Sequence, residues 1–288
     1  MKLSDRLEQI AAKAAEVTEG SVADVGTDHG FVPIRLMESG RVKHVVAMDV
    51  RKGPLERARE HVREYHMEDR IETRLSDGLK ELKPGEADTV VIAGMGGELM
   101  LRILRDGGHV RDCVKHYILS PQSELSVFRH GLEELGLSIA EEQMLLDEGK
   151  YYVILHVSPG TMHYEHEYEY RYGADLIRKQ DPVLKEFLER ELIDIVERNL
   201  HKLLPVKEGD AVLIVMYDAG SEQELLSACT EASDAALEAG AIDVYIADTP
   251  ERIASVWSVR GAILEGMKAE SVAQEECDVV VPRAKIAE

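Results

Sequence analysis

Four short segments carry residue types that can do chemistry, and each follows an apolar run. They are Asp24-Val25-Gly26-Thr27-Asp28-His29-Gly30, then Asp49, then Ser76-Asp77-Gly78-Leu79, and last Ala93-Gly94-Met95-Gly96-Gly97. The first has the form D-x-G-x-x-x-G between a strand-like run and a helix-like one. That arrangement puts backbone amides at the carboxyl edge of a parallel sheet, where open α/β sheets bind nucleotides. It is not G-x-G-x-x-G, so the dinucleotide fingerprint is absent. Asp49 lies about twenty residues past the glycines, where an acid can accept hydrogen bonds from both ribose hydroxyls of an adenosine. Asp77 stands where it can accept from an exocyclic adenine amine, with Leu79 available to lie against the ring. Gly94, Gly96 and Gly97 allow close backbone approach to a substrate. Each acid alone reads equally well as a turn former. Three at successive strand ends favour a nucleoside site, and the missing pyrophosphate fingerprint favours S-adenosylmethionine over NAD.

The positioning elements are legible from periodicity. Residues 3–17 place Leu3, Leu7, Ile10, Ala14 and Val17 on one helical stripe. Short apolar runs follow at 22–25, 44–48, 71–75, 89–93 and 117–119, with helices expected near 30–38, 54–66, 97–105 and 123–135. This alternation predicts an α/β fold with a doubly wound, mostly parallel sheet covered on both faces. Runs 137–146 and 151–157 flank Asp147-Glu148-Gly149-Lys150 and read as a closing antiparallel hairpin. Residues 161–172, rich in His, Tyr and Glu, read as a solvated linker rather than a metal site, because no third ligand cluster accompanies His163 and His166. Asp181-Pro182 then opens a helix that stops at Leu204-Pro205. A strand at 211–217, a helix at 221–239, a strand at 242–247 and a helix near 250–266 follow. The break at Pro205 to Gly209 divides the chain into a cofactor-binding domain over 1–160, a linker and helical extension over 161–204, and a small α+β segment over 205–288.

The 288 residues are 44% hydrophobic, enough for a sizeable core, and no apolar stretch is long enough for a membrane helix. The N-terminus carries acids and lacks the apolar region of a signal peptide. Cys113, Cys229 and Cys277 have neither disulfide nor metal spacing and read as buried small hydrophobes in a reducing cytoplasm. The net charge of −21 is unevenly placed. Residues 205–288 hold 6 basic against 17 acidic side chains, whereas residues 1–115 hold 19 against 21. Basic density survives at Arg51, Lys52, Arg57, Arg59, Arg63, Arg70 and Arg74, interleaved with Glu56, Glu60 and Glu64 as on many solvated helices.

The motifs also resemble a known family. DVGTDHGFVP, Asp49 with Gly53-Pro54, SDGL, IAGMGG, LSPQSE and EGKYYVI stand in the order and spacing of the bacterial tRNA (adenine-N1)-methyltransferases that modify position 22 in the D arm. The resemblance covers about residues 2–203. It implies a class I methyltransferase fold that binds S-adenosylmethionine and acts on tRNA. For cofactor binding it implies Gly26, Asp49, Asp77 and Gly78, joined on the same strand edge by Asp24, Thr27, Gly30, Leu79, Ala93 and Gly94. Asp28, His29, Met95 and Gly96 would face the reacting base. In that family a helical hairpin follows the catalytic domain, whereas one long helix is expected here. From about Asp210 the chain resembles a fragment of the C-terminal domain of FAD-linked oxidases of the glycolate oxidase type, through AVLIVMYDAGSEQEL, AIDVYIADTPERIASVWSVRGAI and CDVVVPRAKIAE. No flavin, metal or membrane partner is expected. A methyltransferase for another RNA or a small molecule, and a cofactor-binding relic, are the alternative readings.

Overall fold

Apolar side chains alternating along each strand feed two separate cores, one on either face of a single seven-stranded sheet. The computed structural model describes residues 3–200, 221–241 and Val244. The strands are β1 (Ser21–Val25), β2 (His44–Asp49), β3 (Ile71–Leu75), β4 (Thr89–Met95), β5 (His116–Pro121), β6 (Leu137–Asp147) and β7 (Lys150–Pro159). Their order is β3-β2-β1-β4-β5-β7-β6. The first five are parallel, and β7 joins β5 and β6 antiparallel. The helices are α1 (Asp5–Val17), α2 (Phe31–Glu38), α3 (Lys52–Glu64), α4 (Gly97–Asp106), α5 (Leu125–Glu134), α6 (Glu167–Tyr172), α7 (Ala174–Arg178), α8 (Pro182–Leu200) and α9 (Glu222–Glu238).

Because side chains alternate across a strand, Val22, Val45, Ala47, Val91 and Ile118 pack with α1 and α2 on one face. Ala23, Val25, Val46, Met48, Val90, Ile92 and Leu119 meet α4 and α5 on the other. Burial on both faces explains why these runs are almost continuously apolar. The strand order reverses between β1 and β4, so the crevice lies beyond their carboxyl ends. All four chemistry-bearing segments of the sequence emerge on that edge.

Two expectations need correction. Residues 167–172 are not linker. His166 and Glu169 form a reciprocal cap for α6, and Tyr170 is buried, so this helix is anchored at both ends. Nor are the cysteines uniformly buried: Cys113 is exposed and Cys229 half-buried. Cys113 ends a 3-10 segment, Gly107–Cys113, in which Val110 takes the inward position. The α8 start is as expected, with Asp181 Oδ1 accepting from the amides of Val183 and Leu184 at 2.9 Å each.

The chain divides into two compact units, Met1–Leu188 and Glu189–Glu288. In the second, α9 is capped by the Ser221 hydroxyl, matching the helix expected at 221–239. The strands and helix expected at 211–217, 242–247 and 250–266, the break at Pro205, and Cys277 lie outside the described residues. Among the described residues no helix is long and apolar enough to cross a membrane, and no group of three His, Cys, Asp or Glu can hold a metal ion.

Candidate functional site

The loop after β1 turns because Gly26 adopts φ +80°, a conformation that disfavours other residues. The amides of Gly26 and Thr27 both donate to the Met48 carbonyl, at 2.8 and 2.9 Å, tying the loop to the end of β2. Gly30 closes it by donating to Thr27 O at 2.8 Å. At the tip Asp28 holds φ +45°, uncommon for a side-chain-bearing residue and typical of functional loops. Asp49 steadies this tip. One of its carboxylate oxygens accepts from the Asp28 amide at 3.4 Å and the other from the Arg51 amide at 2.8 Å. A carboxylate has about four acceptor sites, so the nearly buried Asp49 retains capacity for two further donors.

Asp24 lies beneath the loop, buried, with Oδ2 lacking a hydrogen-bond partner. Thr27 Oγ1 is likewise buried and unpartnered. Burial pushes the Asp24 carboxyl up to about 7; the neighbouring Thr27 hydroxyl works against the shift, and the negative charge of Asp49 adds to it. A buried carboxyl with one oxygen left unpaired is suited to a ligand that brings a donor or a positive charge.

The glycine-rich end of β4 meets the first loop directly. A Cβ on Gly26 would fall 2.3 Å from Met95 Cε, so the thioether methyl occupies the space that the missing side chain leaves. Pairing of β4 with β5 shifts register between Ala93 and Met95, a bulge that re-aims the strand end. The segment is then pinned to the end of β5, as Gln122 N donates to Met95 O at 2.9 Å and Gly97 N to Ser123 O at 3.2 Å. A Cβ on Gly97 would lie 2.8 Å from Ser123 O, too close for any side chain. Ala93 is half-buried, Gly94 is exposed, and Gly96 caps α4.

The remaining sequence-nominated residues divide. Ser76 Oγ donates to Gly78 O at 2.8 Å and shapes the turn that carries Asp77. The Asp77 carboxylate is exposed and paired with Lys80, which holds it below the usual carboxylate range. Leu79, in contrast, is 2% exposed and sits in the core beneath α4. It supports the turn from below and has no open face for a ring, which corrects that expectation. Asp28 and His29 are half-exposed, with His29 Nε2 3.6 Å from Asp28 Oδ2. The Asp28 carboxylate also accepts from Arg57 Nη2 on α3, at 3.1 Å.

Sequence reasoning missed Arg57, Phe31 and His61 as neighbours of this tip, and Gln122 to Glu124 as the backing of the glycine segment. Arg57 and His61 stand four residues apart on α3 and so share a helix face, a signal that was available. A surface depression of ≈ 530 Å³ lies elsewhere, lined in part by His130, Glu133, His163 and Tyr170. Two of its acids are engaged: Glu133 by His163 and Tyr170, Glu167 by Ser126 and His130.

Comparisons with known proteins follow the division of the chain. A family model described as a methyltransferase domain matches residues 3–155. A second, the C-terminal domain of FAD linked oxidases, matches residues 174–288, beginning upstream of the Asp210 at which the sequence resemblance starts. The tRNA (adenine(22)-N(1))-methyltransferase of Bacillus subtilis is 32% identical over 161 residues, 56% of this chain and 66% of that protein. The D-lactate dehydrogenase of Anaerostipes hadrus is 45% identical over 112 residues, 37% of this chain and 24% of that protein. The chain thus spans about a quarter of the dehydrogenase and about two thirds of the methyltransferase. Among solved structures, Streptococcus pneumoniae Sp1610, a candidate tRNA (m1A22) methyltransferase in complex with S-adenosyl-L-methionine, is similar with a TM-score of 0.64. It is 32% identical, with 70% of this chain and 92% of that one covered.

Proposed function

This chain belongs to the methyltransferase-domain family, and from that premise we propose that it transfers a methyl group from S-adenosylmethionine to N1 of an adenine at position 22, in the D arm of tRNA. The observation that carries the reading is the convergence at the strand-order reversal: Asp24 and Asp49 lie below the loop, and Met95 fills the space left by Gly26. Likeness to the S-adenosylmethionine-bound Sp1610 structure supports the choice of cofactor. When bound, the cofactor supplies a methyl group activated by its sulfonium.

The residues present fit such a ligand. Asp49 has acceptor capacity for two ribose hydroxyls. Buried Asp24 with its unpaired oxygen suits a cationic amine, and Asp77 on the exposed turn suits an exocyclic amine. Gly26, Thr27, Gly30, Gly78, Ala93 and Gly94 shape the backbone around it. Methyl transfer by displacement depends on placement of the nucleophile and needs no metal. Because N1 lies on the pairing edge, the base leaves its stack to reach the crevice. As N1 attacks, positive charge develops on the ring, and the Asp28 carboxylate at the loop tip favours it. His29 orients the base or the acid, while Met95 and Gly96 bound the space the ring enters. The reading places the enzyme in the cytoplasm with tRNA as partner. It assigns catalysis to residues 1–160, with the extension to 204 alongside, and gives residues 205–288 no flavin chemistry.

Mass spectrometry of D-arm-containing tRNA incubated with the protein and S-adenosylmethionine tests the whole reading. 1-Methyladenosine at position 22 is expected, and an unmodified or otherwise modified tRNA refutes it. Within that assay, Asp28→Asn should lower turnover by about ten- to a hundredfold while leaving cofactor affinity nearly unchanged. A loss seen wholly in cofactor binding would make Asp28 a binding residue instead. Asp49→Ala should weaken cofactor binding by about 1–3 kcal/mol, because ribose hydroxyls lose a charged acceptor and the Asp28 and Arg51 amides lose theirs. Equal affinities of variant and wild type by calorimetry would remove Asp49 from the site.

A further inference from the structure

Next to the Asp28 tip stands an aromatic cluster that neither core uses. His29, Phe31 and His61 have ring centroids 5.4, 4.8 and 5.9 Å apart, with planes 14°, 19° and 31° from parallel. The chain has three phenylalanines. Phe128 lies at the centre of one core and Phe187 packs against it, whereas Phe31 belongs to neither core cluster. Phe31 and His61 are half-buried, and the His29 side chain is 40% exposed. The cluster is held firmly: His61 Nδ1 bonds the His29 carbonyl at 2.8 Å, and Gly30 lets α2 approach Ala58 of α3 closely. Exposed Arg51, Lys52 and Arg57 stand at the start of the same helix.

We infer that His29, Phe31 and His61 form a stacking subsite for an unpaired nucleobase adjacent to the target adenine, with the α3 cations meeting its backbone phosphate. The inference rests on the tRNA reading above and adds a second recognition element to it. Near-parallel, half-exposed rings beside cations are the surface on which unstacked RNA bases lie. A base drawn out of its helix for N1 chemistry leaves its neighbours without a stacking partner. His29 and Phe31 sit one and three residues past Asp28 in the chain, and His61 packs beside them from α3, so a base seated on these rings is next to the base that Asp28 faces. Solvent-exposed aromatic area is otherwise unfavourable, and a nucleobase covers it.

The test measures fluorescence anisotropy with a fluorescein-labelled D-arm stem-loop RNA and with two derivatives abasic on either side of the target adenine. Wild-type protein should lose about tenfold in affinity for one abasic RNA, by the scale of one base–aromatic stack. Phe31→Leu keeps apolar volume and removes the π face. It should bind the intact RNA about tenfold more weakly, with no further loss for the abasic RNA, and Phe31→Tyr should restore wild-type behaviour. Unchanged S-adenosylmethionine affinity of Phe31→Leu certifies the fold. Equal abasic penalties in wild type and Phe31→Leu overturn the subsite. RNA binding with the expected coupling but without methylation refutes the catalytic reading alone, and absence of RNA binding by the wild type refutes both.

Discussion

Arg129→Ala is expected to lower the stability of the first compact unit by about 3–5 kcal/mol, the scale on which breaking one side of a buried ion pair is felt. Arg129 on α5 is fully buried. Its Nε donates to Glu142 Oε1 at 2.8 Å, and its Nη1 donates to the carbonyls of Tyr170 and Arg171 at 2.7 and 3.1 Å. Glu142 Oε2 in turn accepts from the Asp175 amide at 3.2 Å, and Asp175 Oδ2 accepts from the Glu142 amide at 2.8 Å. The guanidinium therefore ties α5, β6 and α6 together, and the Glu142–Asp175 bonds carry the network on to the start of α7. Gly173 is part of the arrangement, because a Cβ there would fall 2.3 Å from Glu142 Oε2. Alanine would leave the Glu142 charge buried without its cation and two carbonyls without a donor. Replacing the pair together, as Arg129→Met with Glu142→Leu, should cost much less than the single change, since it strands no charge. Denaturant unfolding followed by far-ultraviolet circular dichroism measures both, since residues 1–188 hold no tryptophan. A single-variant loss below about 1 kcal/mol would show that water or rearrangement satisfies Glu142 and that the network is not structural.

Asp24→Asn is expected to stabilise the ligand-free protein at about pH 8 while weakening cofactor binding. The sign follows from linkage. The folded protein holds the Asp24 proton up to about pH 7, whereas the unfolded chain releases it near the ordinary value of 3.8. Between those values the folded state binds more protons than the unfolded state, so this group's contribution to stability falls as pH rises from about 4 to about 7. Ionisation above that range leaves a buried charge with an unpaired oxygen. The gap between 3.8 and about 7 corresponds to on the order of 4 kcal/mol. The neutral amide of asparagine escapes this penalty. Melting temperatures of the two proteins should therefore diverge steadily with rising pH and meet toward about pH 4. Calorimetry should show the opposite ordering for S-adenosylmethionine, whose ammonium would lose an anionic partner. Parallel pH profiles for the two proteins would show that Asp24 is ionised in the fold, and unchanged affinity would remove it from the site. Stability given up at a functional position is common in binding sites.

Much of this protein was written in short windows of sequence. Strand and helix periods, glycine turns, the Asp181-Pro182 cap and the acids at strand ends are local properties, so their elements appear where expected. The parallel sheet then carries Asp24, Asp49, Asp77 and the Gly94 to Gly97 segment to one edge, because a right-handed β-α alternation leaves no other place for them. Tertiary structure decided what depends on remote neighbours. Nothing near Gly26 says that Met95 Cε takes its side-chain space, or that Arg57 reaches Asp28 from another helix. Leu79 looked available to a ligand because burial from above by α4 has no trace in the SDGL tetrad itself. Residues 167–172 looked solvated because a polar stretch and a polar capped helix share one composition; Tyr170 and the carbonyls that Arg129 captures make the difference. Arg129 is the sharpest case. A charged residue on a helix reads as exposed unless its counter-charge is known, and Glu142 and Asp175 become its surroundings only after β6 and α7 have folded onto α5.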